Sequence, residues 1–371
     1  MRERFLALDV FRGATVALMI LVNNPGSWSH LYPPLAHAAW HGLAPTDLVF
    51  PFFLFAVGNA LAFTGPGLQS ASTPDFVHRW LRRTLVIFGL GLLLNASPFV
   101  RWDAAGELVP RSLETLRILG VLQRIALAWC VAALIVRLAG VRGAAWSAAG
   151  LLLAYWAACV ALANGPDPYS LEGFFGTALD RQLLGERHLY RGEGVPFDPE
   201  GLASTLPAIA QVLLGYLAGT VVVRARLDAA LVNRLFVAAC AALALAYAWQ
   251  LVMPVNKKIW TSSYVLLSTG FALALLALLI HRLELQRRRG AWVGFFELFG
   301  KNALFIFVLS GLLPRILALL KGPPAAGTAP SAWAPFGSDP RLGSLLVALA
   351  WVAFYAVVAW WLDRRRIYIR V

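Results

Sequence analysis

What most constrains this chain is a succession of apolar runs, each about 20 residues long, separated by polar breaks. An α-helix rises about 1.5 Å per residue, so a run of that length crosses the hydrocarbon core of a bilayer. Ten runs qualify: 6–23, 46–64, 80–96, 116–136, 144–163, 202–222, 233–252, 260–281, 293–313 and 343–362. Inside a bilayer no water satisfies the backbone amides and carbonyls, so the runs must be helical. The sequence therefore predicts an all-α polytopic membrane protein of about ten transmembrane helices.

Composition points the same way. Hydrophobic residues make up 59% of the 371 and charged residues only 14%, against about 25% charged in a soluble domain. The first run starts near Phe5 without a small-residue cleavage pattern, so it is expected to stay as a helix. A net charge of +13 on a soluble chain would suggest nucleic acid. Here the arginines crowd into alternate breaks, among them Arg79, Arg82, Arg83, Arg224, Arg226, Arg287, Arg288, Arg289, Arg364, Arg365 and Arg366. The positive-inside rule puts those breaks and both termini in the cytoplasm, with no nucleic-acid partner. The segments 24–45, 97–115, 164–201, 253–259 and 314–342 then face the periplasm or exterior.

The chain reads as one domain, residues 1–371, without internal repeats. Only the periplasmic loop at about 164–201 is long enough for structure of its own, a short helix in SLEGFFGTALDRQLL (170–184) between Gly and Pro breakers. Residues 321–342 read as irregular. Cys130, Cys159 and Cys240 lie inside apolar runs without metal-ligand spacing, as small buried residues, so neither a metal nor a disulfide framework is expected.

Polar side chains at membrane boundaries carry the functional signal. His37 and His41 sit in an aromatic loop with Trp28, Tyr32 and Trp40, and Asp47 follows at a helix start. An interfacial aromatic belt accounts for the histidines alone. With Asp47 added, a loop folding back gives a His–Asp pair able to take a proton from an amine or hydroxyl. The residues themselves do not separate His37 from His41. Pro51, four residues after Asp47, frees the Asp47 carbonyl and is expected to bend the helix. Asn23 and Asn24 end the first run, as helix punctuation or as amide donors to an oxyanion.

Deeper in the runs, Asp9 and Arg12 share a helix face and can pair. Gln123 and Arg124 lie inside a span, where an arginine needs a partner: Asp9, or a phosphate arriving from the cytoplasm. Lys301 and Asn302, near a helix start, suit phosphate as well. The cluster Arg79, Arg82 and Arg83 sets topology, with a funnel for a polyanionic cofactor as the minority reading. NKKIWTSSY (256–264) puts Lys257, Lys258 and the Ser262 hydroxyl outside, as helix capping or as contacts to a sugar or an anionic substrate group.

Taken together, these segments resemble the heparan-α-glucosaminide N-acetyltransferase family, including its bacterial NagX-like branch. The resemblance rests on LDVFRG (8–13), LVNNPG (21–26), HAAWHGLAPTDLVFPFFLFAVG (37–58), GVLQRIAL (120–127), FDPEGLASTLPAIAQVLLGYLAG (197–219), PVNKKIWTSSYVLLSTG (254–270), FGKNALFIFVLSG (299–311) and RRRIYIRV (364–371), in that order. It implies a transmembrane acyltransferase moving acetyl from cytoplasmic acetyl-CoA to the amine of a glucosamine-type sugar at the periplasmic face. By motif it places the catalytic histidine on His37, its aspartate on Asp47 and the asparagine on Asn23.

The reading that follows has His37 as general base or acetyl carrier, Asp47 orienting it and Asn23 at the oxyanion. Arg124, Gln123, Lys301 and Asn302 are the expected acetyl-CoA contacts. His41, Trp40, Lys257, Lys258 and Ser262 are the expected acceptor contacts. No metal is called for. The bilayer, acyl-CoA and the amino sugar are the partners, and a homodimer is compatible. The alternative is an amino-sugar or N-acetylglucosamine permease or uptake accessory protein, since aromatics and hydroxyls at helix ends bind sugars equally well.

Overall fold

A computed structural model of the protein describes residues 5–320, 322 and 339–369. Arg2, Arg4, Lys321, Arg370 and most of the run expected to be irregular at 321–342 lie outside the described residues. The helices are α1 (Leu6–Asn23), α2 (Val49–Gln69), α3 (Thr73–Ala96), α4 (Val121–Ala161), α5 (Phe175–Leu184), α6 (Leu202–Arg224), α7 (Ala229–Trp249), α8 (Ser262–Leu279), α9 (Ala291–Lys301), α10 (Ala303–Leu320) and α11 (Pro340–Arg364). Among the described residues eight helical segments are long and apolar enough to cross a membrane. The protein is all-α and polytopic.

Helix starts follow local chemistry. Ser72, Asp228 and Asp339 each accept a backbone N–H from the first turn of α3, α7 and α11, and Pro stands at the start of α3 and α11. Glycines then let helices approach. A Cβ on Gly58 would collide with the Val212 carbonyl, and one on Gly215 with the Phe55 carbonyl, so α2 and α6 cross backbone to backbone.

The 41 residues of α4 would make a straight helix ~61 Å long, about twice what a bilayer needs. Arg124 and Tyr155 would stand ~46 Å apart on such a rod. Instead Arg124 lies 5.0 Å from the Trp260 ring centre, and the Tyr155 hydroxyl donates to the carbonyl of adjacent Ile259. Gly140 makes this possible with φ 63° and ψ −159°, a conformation open only to glycine. There the chain folds back, and the two arms take the places of the runs at 116–136 and 144–163.

Four expectations need correction. The run 293–313 is not one helix: it breaks at Asn302, and α10 continues to Leu320. The segment 97–115 has structure of its own, an antiparallel ribbon pairing Val100 with Pro110 and Trp102 with Leu108. Between 170 and 184 the helix begins only at Phe175, because Ser170 and Asp167 hold the preceding residues in turns. Cys159 is buried, but Cys240 on α7 is exposed.

The bundle has two recognisable ends. At the Phe5/Arg364 end, Lys301 binds Asp363, the Asn302 amide donates to the Ile367 carbonyl, and Glu284 caps the Ala7 amide. At the opposite end Ser27 and Ser344 exchange hydrogen bonds, and the 38–44 and 255–261 loops meet.

Candidate active site

Asp47 organises the second of these ends. It sits in a 3-10 turn, Pro45–Leu48, just ahead of α2, and is 1% exposed. One carboxylate oxygen accepts from the Ala38 amide at 3.1 Å and the Ala44 amide at 2.9 Å, closing the loop between them. The other faces His37 Nδ1 at 2.6 Å and Lys257 Nζ at 3.2 Å. Four donors around one carboxyl suit a carboxylate rather than a carboxylic acid.

Pro51 does not bend a helix already under way, as expected from sequence. It stands in the first turn of α2, where its missing amide costs nothing. The Asp47 carbonyl that it frees accepts the Tyr264 hydroxyl at 2.5 Å instead, tying the site to α8.

This arrangement selects one histidine tautomer. Nδ1 of His37 is also 2.9 Å from Lys257 Nζ, and an ammonium only donates. With Nδ1–H directed at Asp47, Lys257 is served by the same carboxylate oxygen and Nε2 keeps its lone pair. Nε2 has no hydrogen-bond partner among the described residues, and the His37 side chain is 38% exposed. Burial pushes the Lys257 amine below the ordinary lysine range, while the Asp47 charge pulls the other way.

The loop before α8 clamps the histidine loop. Lys258 donates to the Ala39 carbonyl at 2.7 Å and to Glu193 at 2.6 Å, and lies 5.7 Å from the Trp40 ring centre. Buried Asn256 meets His41 at 3.3 Å, and Gly42 donates to the Val255 carbonyl. Trp40 is pinned by its indole N–H to the Tyr169 carbonyl at 2.8 Å. His37, Asp47, Lys257, Lys258, His41 and Trp40 are therefore brought together. Ser262 is not available to a ligand: it is fully buried and its hydroxyl donates to the Leu152 carbonyl.

Asn23 belongs to a different surface. It lines a cavity of about 360 Å³ between α1, α3, the start of α4 and α10. Gln123, Asn95, Ser310, Arg117 and Arg315 share that lining, and His37 and Asp47 do not. Gln123 is 1% exposed, and its Nε2 has no hydrogen-bond partner among the described residues.

Two expected groupings fail. Arg124 does not pair with Asp9, which holds Arg12. Its Nη2 donates to the carbonyls of Pro199 at 2.7 Å and Gly201 at 3.3 Å and to the Ser204 hydroxyl, at the His37 end. Lys301 lies at the opposite end between Glu297 and Asp363, and the Asn302 amide binds the 367–369 tail. Arg124 and Lys301 thus cannot form one phosphate cradle.

Sequence reasoning missed Tyr264, Asn256 and the Arg117 clamp on Asp198 and Glu200. The first two stand in the NKKIWTSSY segment already singled out, but nothing in that segment tells which side chains turn inward. Among the described residues no group of three or more His, Cys, Asp or Glu is placed to hold a metal.

Residues 4–253 match a protein family described as heparan-alpha-glucosaminide N-acetyltransferase, catalytic. Among curated proteins the chain is similar to the heparan-alpha-glucosaminide N-acetyltransferase of Mus musculus, 26% identical over 361 residues covering 82% of this chain and 53% of that protein. The Homo sapiens protein of the same name is 27% identical over 363 residues, covering 82% and 52%. The chain spans about half the length of the curated relatives it matches.

Proposed function

The chain belongs to the heparan-alpha-glucosaminide N-acetyltransferase catalytic family, and from that premise we propose that it is a membrane-embedded acyltransferase. It moves an acetyl group from acetyl-CoA to the amine of a glucosamine-type sugar at the membrane face where His37 lies. The periplasmic face of a bacterial inner membrane is the location this reading assigns.

The observation that carries the proposal is the oriented imidazole: Nδ1 on Asp47 at 2.6 Å, Nε2 free and accessible. In the reaction the acceptor nitrogen forms a bond to the thioester carbonyl carbon. Nε2 takes the proton that nitrogen sheds, and returns it to the sulfur as the carbon–sulfur bond breaks. The imidazolium formed in between is balanced by Asp47. Asn23 opens on the neighbouring cavity rather than beside His37, so its amide is given no part in this step. Lys257, Lys258, His41 and Trp40 frame the approach of the sugar.

The test is transfer from labelled acetyl-CoA to glucosamine by purified protein, alongside His37→Ala. A positioned general base contributes about 10²–10⁴-fold, so the variant is expected to lose at least 100-fold in rate. No transfer by the wild type to any amino sugar would overturn the enzymatic reading. Equal transfer by the variant would overturn the role of His37.

A further inference from the structure

The outer end of α3 gathers three arginines. Arg315 of α10 donates to the Leu94 carbonyl, and Arg111 Nη1 donates to the Ser97 carbonyl at 2.9 Å. Between them the Asn95 amide holds the Arg117 carbonyl at 2.8 Å. Arg117 has two carboxylates, Asp198 and Glu200. Arg111 and Arg315 have carbonyls and no carboxylate among the described residues. Residues 321–338, which follow α10, contain no Asp or Glu that could supply one. Arg315 and Arg117 line the 360 Å³ cavity, and so does Gln123, whose buried Nε2 also lacks a partner among the described residues. The cavity thus has an unmatched cation at its mouth and an unmatched amide N–H inside, and a ligand that satisfies both is rich in acceptors.

Depth says what kind of ligand. Leu319, one turn beyond Arg315, accepts the Trp102 indole N–H at 2.9 Å, which sets Arg315 at the interfacial level. The Gln123 side chain packs on Gly91, where a Cβ would come within 2.3 Å of its Oε1. Gly91 lies three residues inside Leu94, so the unmatched amide stands ~4.5 Å deeper than the carbonyl that anchors Arg315. Along α10 the lining continues from Arg315 to Phe307, eight residues or ~12 Å into the bilayer. Of the 24 residues of α3 only Phe76, Ile87, Gly91 and Leu94 are buried, and of the 18 of α10 only Ile306 and Ser310. Both helices therefore turn most of their surface to lipid.

We infer that this cavity holds the headgroup and glycerol of an anionic phospholipid. The phosphate takes the remaining N–H donors of Arg315, and an ester carbonyl, one step deeper in such a lipid, accepts from Gln123. An acyl chain then leaves past Leu94 and Phe307 toward the bilayer. A zwitterionic headgroup brings its own cation to Arg111 and Arg315 and is disfavoured there. A lipid in this place needs no acyl transfer, so failure of the enzymatic reading leaves it untouched.

The experiment counts bound lipid by native mass spectrometry on the whole protein in detergent, with a melt to confirm that each variant is folded. Phosphatidylglycerol, its diether analogue, phosphatidylcholine and soluble glycerol phosphate are titrated into wild type, Arg315→Gln, Arg315→Lys and Gln123→Leu. Wild type is expected to prefer phosphatidylglycerol to phosphatidylcholine. Arg315→Gln is expected to weaken phosphatidylglycerol about tenfold or more, and Arg315→Lys less. Gln123→Leu is expected to weaken the ester lipid but not the diether, which lacks the carbonyls. Folded Arg315→Gln that binds phosphatidylglycerol as wild type does, or wild type that holds phosphatidylcholine equally well, would overturn the inference. Glycerol phosphate bound as tightly as the lipid would assign the mouth to a soluble anion and overturn the lipid. Equal loss of ester and diether lipid in Gln123→Leu would overturn the placement of the glycerol.

Discussion

Asp47 does three jobs with one side chain and its own carbonyl. It ties the ends of the 38–44 loop, orients His37, and receives Tyr264 from α8. Asp47→Asn retains the shape but replaces an acceptor oxygen with an amide that only donates, so at least one of the surrounding donors is left facing another donor. Transfer is expected to fall about 10²–10⁴-fold, because the histidine loses its preferred tautomer. Stability is expected to fall by about 1–3 kcal/mol for the buried donor left unmatched. Single-turnover transfer and a melt in detergent read the two effects separately, and unchanged transfer would mean that His37 needs no orienting carboxylate. That one of the two loop histidines folds back onto Asp47 was legible in the sequence, with His37 picked out only by the family resemblance. The third member was not. Lys257 is 210 residues from Asp47, and only the packing of α8 against α2 brings it there.

At the scale of elements, the reversal at Gly140 decides how the site is walled. It returns the second arm of α4 to the His37 end, where Tyr155 and Leu152 hold the α8 entrance through Ile259 and Ser262. Nothing lies within 4 Å of a Cβ built at Gly140, so the cost of a side chain there is purely conformational. Gly140→Ala is expected to destabilise by about 1–3 kcal/mol. Gly150→Ala, equally unobstructed but within regular helix, is expected to be neutral or to gain up to about 1 kcal/mol. Thermal melts of the pair test whether the reversal or the added methyl matters, and equal effects would rule out the strained turn. Two apolar runs with a charged break between them announced this hairpin. The break at Asn302 had no such signal, because Lys301 and Asn302 are bound by α11 and the tail, far along the chain.

On the scale of the molecule, segment 164–201 is fastened over the His37 end by ions that only tertiary structure assembles. Arg117 grips Asp198 at 2.6 and 2.9 Å and also Glu200, and Arg124 holds the carbonyls that follow. Asp180 on α5 packs under Gly201, where a Cβ would strike its carboxylate, and accepts the Leu202 amide at 2.9 Å. Burial pushes its carboxyl up to about 7, Asp198 acting the same way and the Leu202 amide and Arg124 against it. In an unfolded chain an aspartate titrates near about 3.9. Between about pH 4 and 7 the folded segment keeps a proton that the unfolded one has released, so stability falls as pH rises through that window. The contribution is whole below about pH 4, is lost above about pH 7, and amounts to at most about 4 kcal/mol. Hydrogen exchange over 164–201, corrected for intrinsic rates, is expected to show more protection at pH 5 than at pH 8. Asp180→Asn is expected to remove the difference, and its persistence would place the titrating group elsewhere.

The sequence by itself determined that the chain crosses the membrane as helices, that Asp9 and Arg12 share a helix face, and that a histidine of the 37–41 loop can fold back onto Asp47. All of these depend on local spacing: the length of an apolar run, one helical turn, a loop of ten residues. Tertiary structure alone decided that Lys257 and Tyr264 complete the Asp47 site, that Arg124 faces the 199–204 backbone, and that Asn23 opens on a cavity. It also set Arg83 over the Trp129 ring with no carboxylate among the described residues, while Lys301 acquired two. A side chain's charge is fixed by its type, but what neutralises that charge depends on which helices pack side by side, and no run of neighbouring residues encodes that.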